Sequence, residues 1–500
     1  MKSVLCNKGY IISKNKFPDE IIKSVKTELK VKPFVKGNYG RGVKSFKLYI
    51  ENDQKLCIPK YYGLQKFGIP EVIDENNGIK TKIKFKGKLR DYQEKIMDIV
   101  LPRIRREGGG LISIPPGKGK TCLGIYIATK LRLKTLVIVH KTFLVDQWKD
   151  RIASFSDARV GMIQQKKVDV VDKDIVIGML QSICSRDYEQ SILEEYGLII
   201  VDECHHIAAR VFSKALRKIT AKHILGLSAT PNREDKLDRV MYWYMGKMLY
   251  QEKQKINQDI KIKIYKYNCK HKDYRDIYNR YTKSVQLPSM ITNVCNIPER
   301  NNFILKLINQ TKKKNNHRKI LILSGRLDQL DQLKNIIDEK KKYTTSKYIG
   351  GMKKDALKES ENAEIIFSTY EMSSEGLDIP SLNTVFMISP RSNVEQSVGR
   401  ILRKEAGKYL AQPLVVDIVD KLRVFTAQGY KRRKFYKNIT NYKNIDIYNL
   451  IDKEWLLEGK KEPKSNDLPV FTNKNDQFLS SSSDEKTDNK NECLFDSDSD

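Results

Sequence analysis

A short apolar run followed by a glycine-rich turn, LISIPPGKGKT over 111–121, constrains the fold of this chain more than any other feature. The run has the length of a buried strand, and the pattern after it predicts a helix that begins near Lys120. Gly117 and Gly119 permit backbone angles closed to other residues, so successive N–H groups can point at one anion. A strand, a glycine turn and a helix N-terminus in this order predict a phosphate-binding loop.

The polar residues of the loop predict its ligand. Lys120 is expected to reach the β- and γ-phosphates of ATP, and the hydroxyl of Thr121 to ligate Mg²⁺. Ile114 stands where the full pattern has its first glycine, and the loop alone also fits a Pro-Gly turn in a basic protein. The residues predicted to surround the phosphates are Pro116, Gly117, Lys118, Gly119, Lys120 and Thr121.

The charge of the chain predicts a polyanionic partner. Its 500 residues, 40% hydrophobic, are enough for two or three domains. Lysine and arginine number 93 against 61 acidic residues, which gives a formal net charge of +32. A Lys-rich solvated surface would explain this excess, but together with a phosphate loop it favours DNA or RNA as partner.

Cysteine usage and hydropathy predict a cellular compartment. The eight cysteines include no C-x-x-C pair, so neither a disulfide framework nor zinc spacing is visible, and a reducing intracellular compartment fits best. No run of about eighteen apolar residues occurs, and no long apolar core follows the N-terminal charges. We therefore expect a protein that is neither secreted nor membrane-spanning.

Buried strands alternate with amphipathic helices over two regions, 81–250 and 319–450. Near-continuous apolar runs of strand length indicate parallel sheets covered on both faces. The fold class predicted is therefore α/β, with two domains in tandem. The predicted strands are LISI (111–114), TLVIVH (135–140), IVIGM (175–179), LIIVD (198–202), ILGLSAT (224–230), KILILSG (319–325), EIIFST (364–369), TVFMIS (384–389) and PLVVDIVD (413–420).

Three further regions flank these domains. Residues 1–80 read as a small module with strand-like segments, for which a nucleic-acid contact and a structural cap over the next domain both fit. Residues 251–318, basic and rich in tyrosine, are predicted to connect the domains. A basic amphipathic helix is expected after 421, and 451–500 form an extension with a Ser-rich acidic tail, whose composition predicts disorder.

The segment LIIVDECHH over 198–206 is the second anchor for chemistry. Its strand ends in two carboxylates at the edge of the sheet where phosphates are expected. Asp202 would hold Mg²⁺, and Glu203 would orient and deprotonate the attacking water. His205 and its neighbours could suggest zinc, but no second pair of ligands accompanies them.

Four segments in this order resemble the motifs of the superfamily-two helicases and translocases, the DEAD/DEAH-like ATPases. They are PPGKGKT (115–121), DECH (202–205), GLSATP (226–231) and EQSVGRILR (395–403). The resemblance spans roughly 85–405 and implies two RecA-like domains that bind ATP in the cleft between them and nucleic acid across their shared top.

The resemblance also implies the role of each matching residue. Gln93 would read adenine through its amide, and Gly376 and Asp378 would approach ATP from the second domain. Ser228, Ala229 and Thr230 would couple hydrolysis to domain movement. The implied nucleic-acid contacts are Thr142, Gln181, Ser182, Ser324, Arg326 and Thr369.

Arg400 and Arg403 match the arginine fingers of this family, with Gln396 in the same motif. The two arginines lie three apart on a predicted helix and hence on one face, so both could reach the γ-phosphate. A plain basic helix face would not account for Gln396 and Gly399 at the matching places. Position 397 is Ser where many relatives carry Arg, which affects a secondary contact.

The tripeptide Arg233-Glu234-Asp235 resembles an element of the XPB-like branch. With the overall layout, it is similar to viral members such as the poxvirus transcript-release helicase. This resemblance implies a DNA helicase in viral transcription, repair or recombination, acting in the host cytoplasm and packaged in the virion, with the transcription machinery as partner. The alternatives are an ATP-dependent RNA helicase and a non-motor scaffold that uses ATP as a clamp.

Overall fold

The computed structural model describes most of the chain up to residue 458. The described residues are 2–6, 8–34, 44–115, 117–206, 209–219, 221–229, 236–252, 259–375, 377, 379–401, 410–451 and 454–458. The predicted disordered tail therefore lies outside the described residues. None of the described helices is long and apolar enough to cross a membrane.

The N-terminal module is a small α+β unit. Its main sheet has the order β5-β6-β2-β1-β7, in which only the pairing of β1 with β7 is parallel. Its strands and helices are β1 (Ser3–Cys6), β2 (Gly9–Ser13), α1 (Asp19–Glu28), β3 (Lys30–Val31), β4 (Phe46–Lys47), β5 (Ile50–Glu51), β6 (Lys55–Ile58), α2 (Lys60–Phe67) and β7 (Val72–Asp74).

The first α/β domain is built on an eight-stranded sheet of order β11-β10-β12-β9-β13-β14-β8-β15. Every neighbouring pair is parallel except β10 with β11. Its elements are α3 (Asp91–Glu107), β8 (Gly109–Ser113), α4 (Lys120–Leu131), β9 (Thr135–Val139), α5 (Thr142–Phe155), β10 (Val160–Gln164), β11 (Lys167–Asp169), β12 (Ile175–Met179), α6 (Leu180–Ser185), α7 (Gln190–Glu194), β13 (Leu198–Val201), α8 (Ala209–Lys218), β14 (His223–Ser228), α9 (Asp238–Met245) and β15 (Met248–Gln251).

The second α/β domain repeats this plan with a sheet of order β18-β19-β17-β20-β21-β16-β22-β23. All pairs are parallel except the last. Its elements are β16 (Lys261–Tyr267), α10 (Leu287–Asn296), α11 (Pro298–Lys314), β17 (Ile320–Ser324), α12 (Leu327–Glu339), β18 (Thr345–Tyr348), α13 (Lys354–Ser360), β19 (Ile365–Thr369), α14 (Tyr370–Glu375), β20 (Thr384–Met387), α15 (Glu395–Gly399), β21 (Leu414–Asp420), α16 (Arg423–Ile439), β22 (Ile445–Ile451) and β23 (Glu454–Leu457).

The nine strands predicted from apolar runs are all confirmed. They read as apolar runs because their residues are buried on both faces of the sheets. Strands β9, β12, β13 and β20, for example, have no exposed residue. The basic helix expected after 421 is confirmed as α16. Parallel strands place all their carboxyl ends at one edge of a sheet, and this edge is where ligands bind in such folds.

The prediction that 251–318 connect the domains needs a correction. In the structure β16 lies inside the second sheet, between β21 and β22, and α10 and α11 pack against that sheet. The strand KIKIYKY alternates lysine with apolar residues, and only part of it is buried. This alternation makes the sequence resemble a basic surface segment, although the strand is part of the second sheet.

The N-terminal module packs against the first domain rather than standing apart. Tyr62 meets Trp243 edge to face at 5.2 Å between ring centroids. The ammonium of Lys60 donates to the carbonyl of Lys222 at 3.0 Å. Apolar residues of both units belong to one buried cluster. This continuity is what a structural cap over the first domain requires.

Candidate functional site

The phosphate loop has the conformation that its glycines predict. Gly117 and Gly119 have φ angles of 80° and 82°, in the left-handed region, and α4 begins at Lys120. A Cβ added to Gly119 would lie 2.4 Å from Nε2 of Gln93, so a larger residue would have to displace that side chain and would also be strained at this positive φ. The loop therefore presents the N-terminus of α4 to the sheet edge, while Pro116 lies outside the described residues.

The side chain predicted to read adenine lies against this loop. Nε2 of Gln93 donates to the carbonyl of Lys118 at 3.1 Å, and Oε1 accepts from the N–H of Arg90 at 3.1 Å. The hydroxyl of Tyr92 donates to the same carbonyl at 3.0 Å. Gln93 thus ties the start of α3 to the loop and fixes the position of both.

Two carboxylates follow β13 at the same edge. Oδ2 of Asp202 accepts from Nε1 of Trp148 at 2.8 Å, and Oδ1 accepts from the backbone N–H of Glu203 at 3.0 Å. The ammonium of Lys120 lies 3.3 Å from Oε1 of Glu203. Glu203 has a φ of 44°, an unfavourable conformation for a residue with a side chain. The phosphate lysine and the predicted base therefore meet directly.

Burial raises the pKa of Asp202 to about 6, and the charge of the adjacent Glu203 adds to this effect. The hydrogen bond from Trp148 and the charge of Lys120 act in the opposite direction. A nearby cation stabilises the ionised form of such a buried carboxylate. Asp202 and Thr121 supply a carboxylate and a hydroxyl oxygen, the hard donors that Mg²⁺ prefers, so these residues fit the metal.

The residues predicted to couple hydrolysis to movement join the same cluster. The N–H of Ala229 donates to Oε2 of Glu203 at 3.4 Å. Oγ of Ser228 lies 2.9 Å from Nδ1 of His205, and Nε2 of Gln396 lies 3.5 Å from Nε2 of that ring. Thr230 and the tripeptide Arg233-Glu234-Asp235 lie outside the described residues.

His205 occupies a place in the site that the sequence did not predict. The tautomer with its proton on Nδ1 fits both contacts, because Nε2 of His205 can then accept from the amide of Gln396 and Nδ1 can donate to Ser228. This imidazole connects the first domain to the second. The tetrapeptide Asp-Glu-Cys-His was the available signal in the sequence. Its partner Gln396 lies far along the chain, so the sequence does not show the contact.

Arg400, a predicted arginine finger, lies directly after α15. Its Nε donates to the carbonyl of Ser373 at 2.7 Å, in α14 of its own domain. The hydroxyls of Ser373 and Ser397 are 3.0 Å apart, which ties α14 to α15. The other predicted residues of this edge, Arg403, Gly376 and Asp378, lie outside the described residues.

The predicted nucleic-acid contacts of the first domain surround an open cleft of about 560 Å³. Thr142 begins α5, and Nε2 of Gln181 donates to the carbonyl of His140 at 2.9 Å. The buried hydroxyl of Ser182 accepts from the N–H of Gln165 at 2.8 Å, and its contact with nucleic acid stays a prediction. The cleft is lined by His140, Lys141, Thr142, Gln164, Gln165, Met179, Gln181, Ser182, Ser185 and Arg186.

The three residues predicted to contact nucleic acid in the second domain differ in burial. The fully buried hydroxyl of Ser324 donates to Oε1 of Gln329 at 2.7 Å. The hydroxyl of Thr369, which is partly buried, accepts from the N–H of Met372 at 3.3 Å. The Ser324 side chain therefore shapes the loop, and the nucleic-acid contact at this position stays a prediction. Arg326 remains partly exposed at the end of β17.

Comparisons with known proteins agree with this geometry. Residues 86–233 match the family described as "Type III restriction enzyme, res subunit", and 299–405 match "Helicase conserved C-terminal domain". The chain is 40% identical over 459 residues to a protein of Acanthamoeba polyphaga mimivirus named as a candidate ATP-dependent RNA helicase, with 87% of each chain covered. It is 28% identical to a candidate helicase of Invertebrate iridescent virus 6, over 71% of this chain and 82% of the relative.

A solved structure supports the fold. S. cerevisiae Dbp5 bound to RNA and ADP BeF3 aligns with a TM-score of 0.50 at 11% identity, covering 72% of this chain and 90% of the other. At this identity the likeness concerns the fold alone. The two α/β domains are RecA-like domains in tandem.

Proposed function

This chain belongs to the superfamily-two helicases of large DNA viruses and is a nucleic-acid-stimulated ATPase, and from that premise we propose that it moves along DNA during viral transcription, with transcript release as its task. The match of 86–233 to a restriction-enzyme family supports DNA as the track. The tripeptide Arg233-Glu234-Asp235, which resembles the XPB-like branch, supports the same choice.

The observation that carries the proposed hydrolysis is the contact between Lys120 and Glu203. An ammonium 3.3 Å from a carboxylate at the phosphate loop can exchange that partner for the γ-phosphate of ATP. Glu203 then becomes available to orient and deprotonate the attacking water. Thr121 and Asp202 would hold Mg²⁺, which supplies positive charge against the phosphate oxygens.

The contact between Gln396 and His205 carries the proposed coupling. It is the point at which the second domain meets the carboxylate cluster, because His205 Nδ1 also lies 3.5 Å from Oε2 of Glu203. Phe143, next to Thr142, packs against apolar clusters of both domains. A change at the γ-phosphate can therefore alter how the domains meet, and alternate gripping by the two domains would move the protein along a strand.

RNA is the second candidate track. The mimivirus relative is named for RNA, and so is a relative from African swine fever virus that is 26% identical over 388 residues. The family's contacts go mostly to the backbone, which DNA and RNA share. A motor on RNA would use the same ATP site, so only substrate stimulation separates the two candidates.

Steady-state ATPase measurements test the proposal. The wild-type protein, Glu203→Gln and the control Glu339→Gln, an exposed residue at the end of α12, are compared without nucleic acid and with single-stranded DNA, forked duplex DNA and RNA. Salt is fixed because phosphate contacts are salt-dependent. Loss of a general base is expected to slow turnover about 10²- to 10⁴-fold, and Glu339→Gln is expected to match the wild type.

Each outcome has a defined meaning. Stimulation by DNA that is lost in Glu203→Gln supports the DNA motor. Stimulation by RNA alone replaces it with the RNA helicase. Absence of turnover with every nucleic acid would overturn both motors and favour a scaffold that uses ATP as a clamp.

A further inference from the structure

A hairpin-like loop between β16 and α10 has no role in the ATP site. We call 277–286 the tyrosine hairpin. Tyr278 and Val285 form an isolated antiparallel bridge, and the N–H of Gln286 donates to the carbonyl of Ile277 at 2.8 Å. At its tip, Oδ1 of Asn279 accepts from the backbone N–H groups of Tyr281 and Thr282, both at 2.9 Å. These bonds give the tip a defined shape.

Both limbs of the tyrosine hairpin are fixed to the second domain. Before it, the buried hydroxyl of Tyr274 donates to the carbonyl of Tyr267 and accepts from the N–H of Lys421, each at 2.7 Å. After it, the carbonyl of Pro288 accepts from the guanidinium of Arg326 at 2.8 Å. The loop is therefore a supported projection whose base touches a predicted nucleic-acid contact.

Sheet topology places the tyrosine hairpin on the ligand-binding edge. It follows the carboxyl end of β16, and β16 is parallel to β21, β20, β17 and β19 in the same sheet. Arg326 follows β17 at this edge. The projection thus stands beside the path that the helicase fold offers to nucleic acid.

The projection exposes aromatic and basic side chains. Tyr281 is 94% exposed and Tyr278 is 47% exposed. Arg280 and Lys283 at the tip are also exposed. An aromatic face offers stacking to any base, and flanking cations offer pairing to phosphates. A tyrosine held almost fully in water by an ordered turn is a typical platform for an unpaired base.

We propose that the tyrosine hairpin is a further nucleic-acid contact, in which Tyr281 stacks on an unpaired base while Arg280 and Lys283 pair with the adjacent phosphates. The proposal rests on the proposed function, because it needs a strand on this edge of the second domain. DNA and RNA both supply an unpaired base and phosphates, and the experiment separates them.

The test uses the full chain and oligonucleotides of one sequence, as DNA and as RNA, with 2-aminopurine placed at successive positions. Stacking on Tyr281 is expected to quench the fluorescence at one position. Tyr281→Ala is expected to abolish that quenching and to weaken binding about 5- to 150-fold, the range for losing one stacked base. Tyr281→Phe keeps the ring and is expected to retain both.

Tyr442→Ala is the matched control. Tyr442 is 61% exposed and lies near Lys437, but it precedes β22 and so lies at the opposite edge of the second sheet. It is expected to behave as the wild type, and Tyr281→Ala is expected to keep the ATPase rate measured without nucleic acid. Quenching in DNA only or in RNA only identifies the strand that the hairpin contacts.

Two results would overturn the proposal. If oligonucleotides stimulate the wild-type ATPase but Tyr281→Ala equals the wild type in quenching and affinity, the hairpin contact is wrong and the motor stands. If no oligonucleotide binds or stimulates the wild type, the proposed function and the hairpin contact both fail.

Discussion

Both domains place a charged pair at the edge formed by the carboxyl ends of the strands, but the two pairs differ in hydrogen bonding and burial. In the first domain, Lys120 meets Glu203 at 3.3 Å, and the neighbouring Asp202 has a pKa raised to about 6. In the second, Arg300 donates twice to Asp420, at 2.7 and 2.9 Å, and both side chains are fully buried. Position at the edge therefore does not by itself make a charged residue catalytic.

Geometry explains the difference. A bidentate arginine–carboxylate pair uses both oxygens and fixes its orientation, so it suits a permanent structural contact. Arg432 and Asp417 form a second such pair, with both bonds at 2.9 Å. The lysine of the first domain is a single point charge on a flexible stem, which can exchange one anion for another. The exchangeable pair is the one expected at a site that binds and releases phosphate.

Removing the exchangeable cation should have the largest effect. In Lys120→Ala, the γ-phosphate loses its ammonium, and ATP turnover is expected to fall on the order of 10³-fold, as for loss of one preorganised charge-stabilising group. The fold is expected to persist, because Lys120 makes no bidentate pair. Steady-state ATPase and the thermal unfolding midpoint check both expectations.

Lys130→Ala is the control for this change, since Lys130 is exposed near the other end of α4. It removes the same charge from the same helix and is expected to leave turnover unchanged. Wild-type turnover in Lys120→Ala would refute the assignment of the phosphate loop.

Breaking the structural pair should affect stability. Arg300→Met leaves the carboxylate of Asp420 buried without its partner, which is expected to lower the free energy of unfolding by about 3–5 kcal/mol. The ATPase rate per folded molecule should change little. Denaturant titration measures the first quantity, and turnover normalised to folded protein measures the second.

The double variant Arg300→Met/Asp420→Leu sharpens this comparison. It removes both charges, and it is expected to recover most of the lost stability because no unpaired charge remains buried. If Arg300→Met abolished turnover without loss of stability, the distinction between the two kinds of pair would be wrong.

The strands and the conformation of the phosphate loop could be predicted because each leaves a local mark in the sequence. Strands buried on both faces read as apolar runs, and a phosphate loop needs glycine at positions 117 and 119, where the structure has positive φ. Strand β16 could not be recognised, because half-burial lets lysine alternate with apolar residues and the result looks like a basic linker.

Contacts between distant residues set the limit of prediction at the site. The link from His205 to Gln396 joins residues 191 positions apart. Such roles depend on how two domains meet, and local patterns carry no record of that.

The smallest expected effect concerns the acid limb of the pH–rate profile. The pKa of Asp202 is raised to about 6, so its carboxylate is protonated below this pH and ionised above it. Only the ionised form binds Mg²⁺, and turnover should therefore fall as the pH drops through about 6. Because the metal selects the ionised form, a tenfold increase in Mg²⁺ above its dissociation constant should move the limb about one pH unit lower.

The measurement is kcat/KM for ATP from pH 5 to pH 8 at two Mg²⁺ concentrations and constant ionic strength. Trp148→Phe offers a second test, since it removes the hydrogen bond that lowers the pKa of Asp202 and should move the limb to higher pH. A limb that does not move with Mg²⁺ would show that Asp202 is not the metal ligand. The hydrogen bond of Trp148 goes to Asp202 and not to Glu203. A limb that moves both with Mg²⁺ and with Trp148→Phe would therefore assign this titration to Asp202.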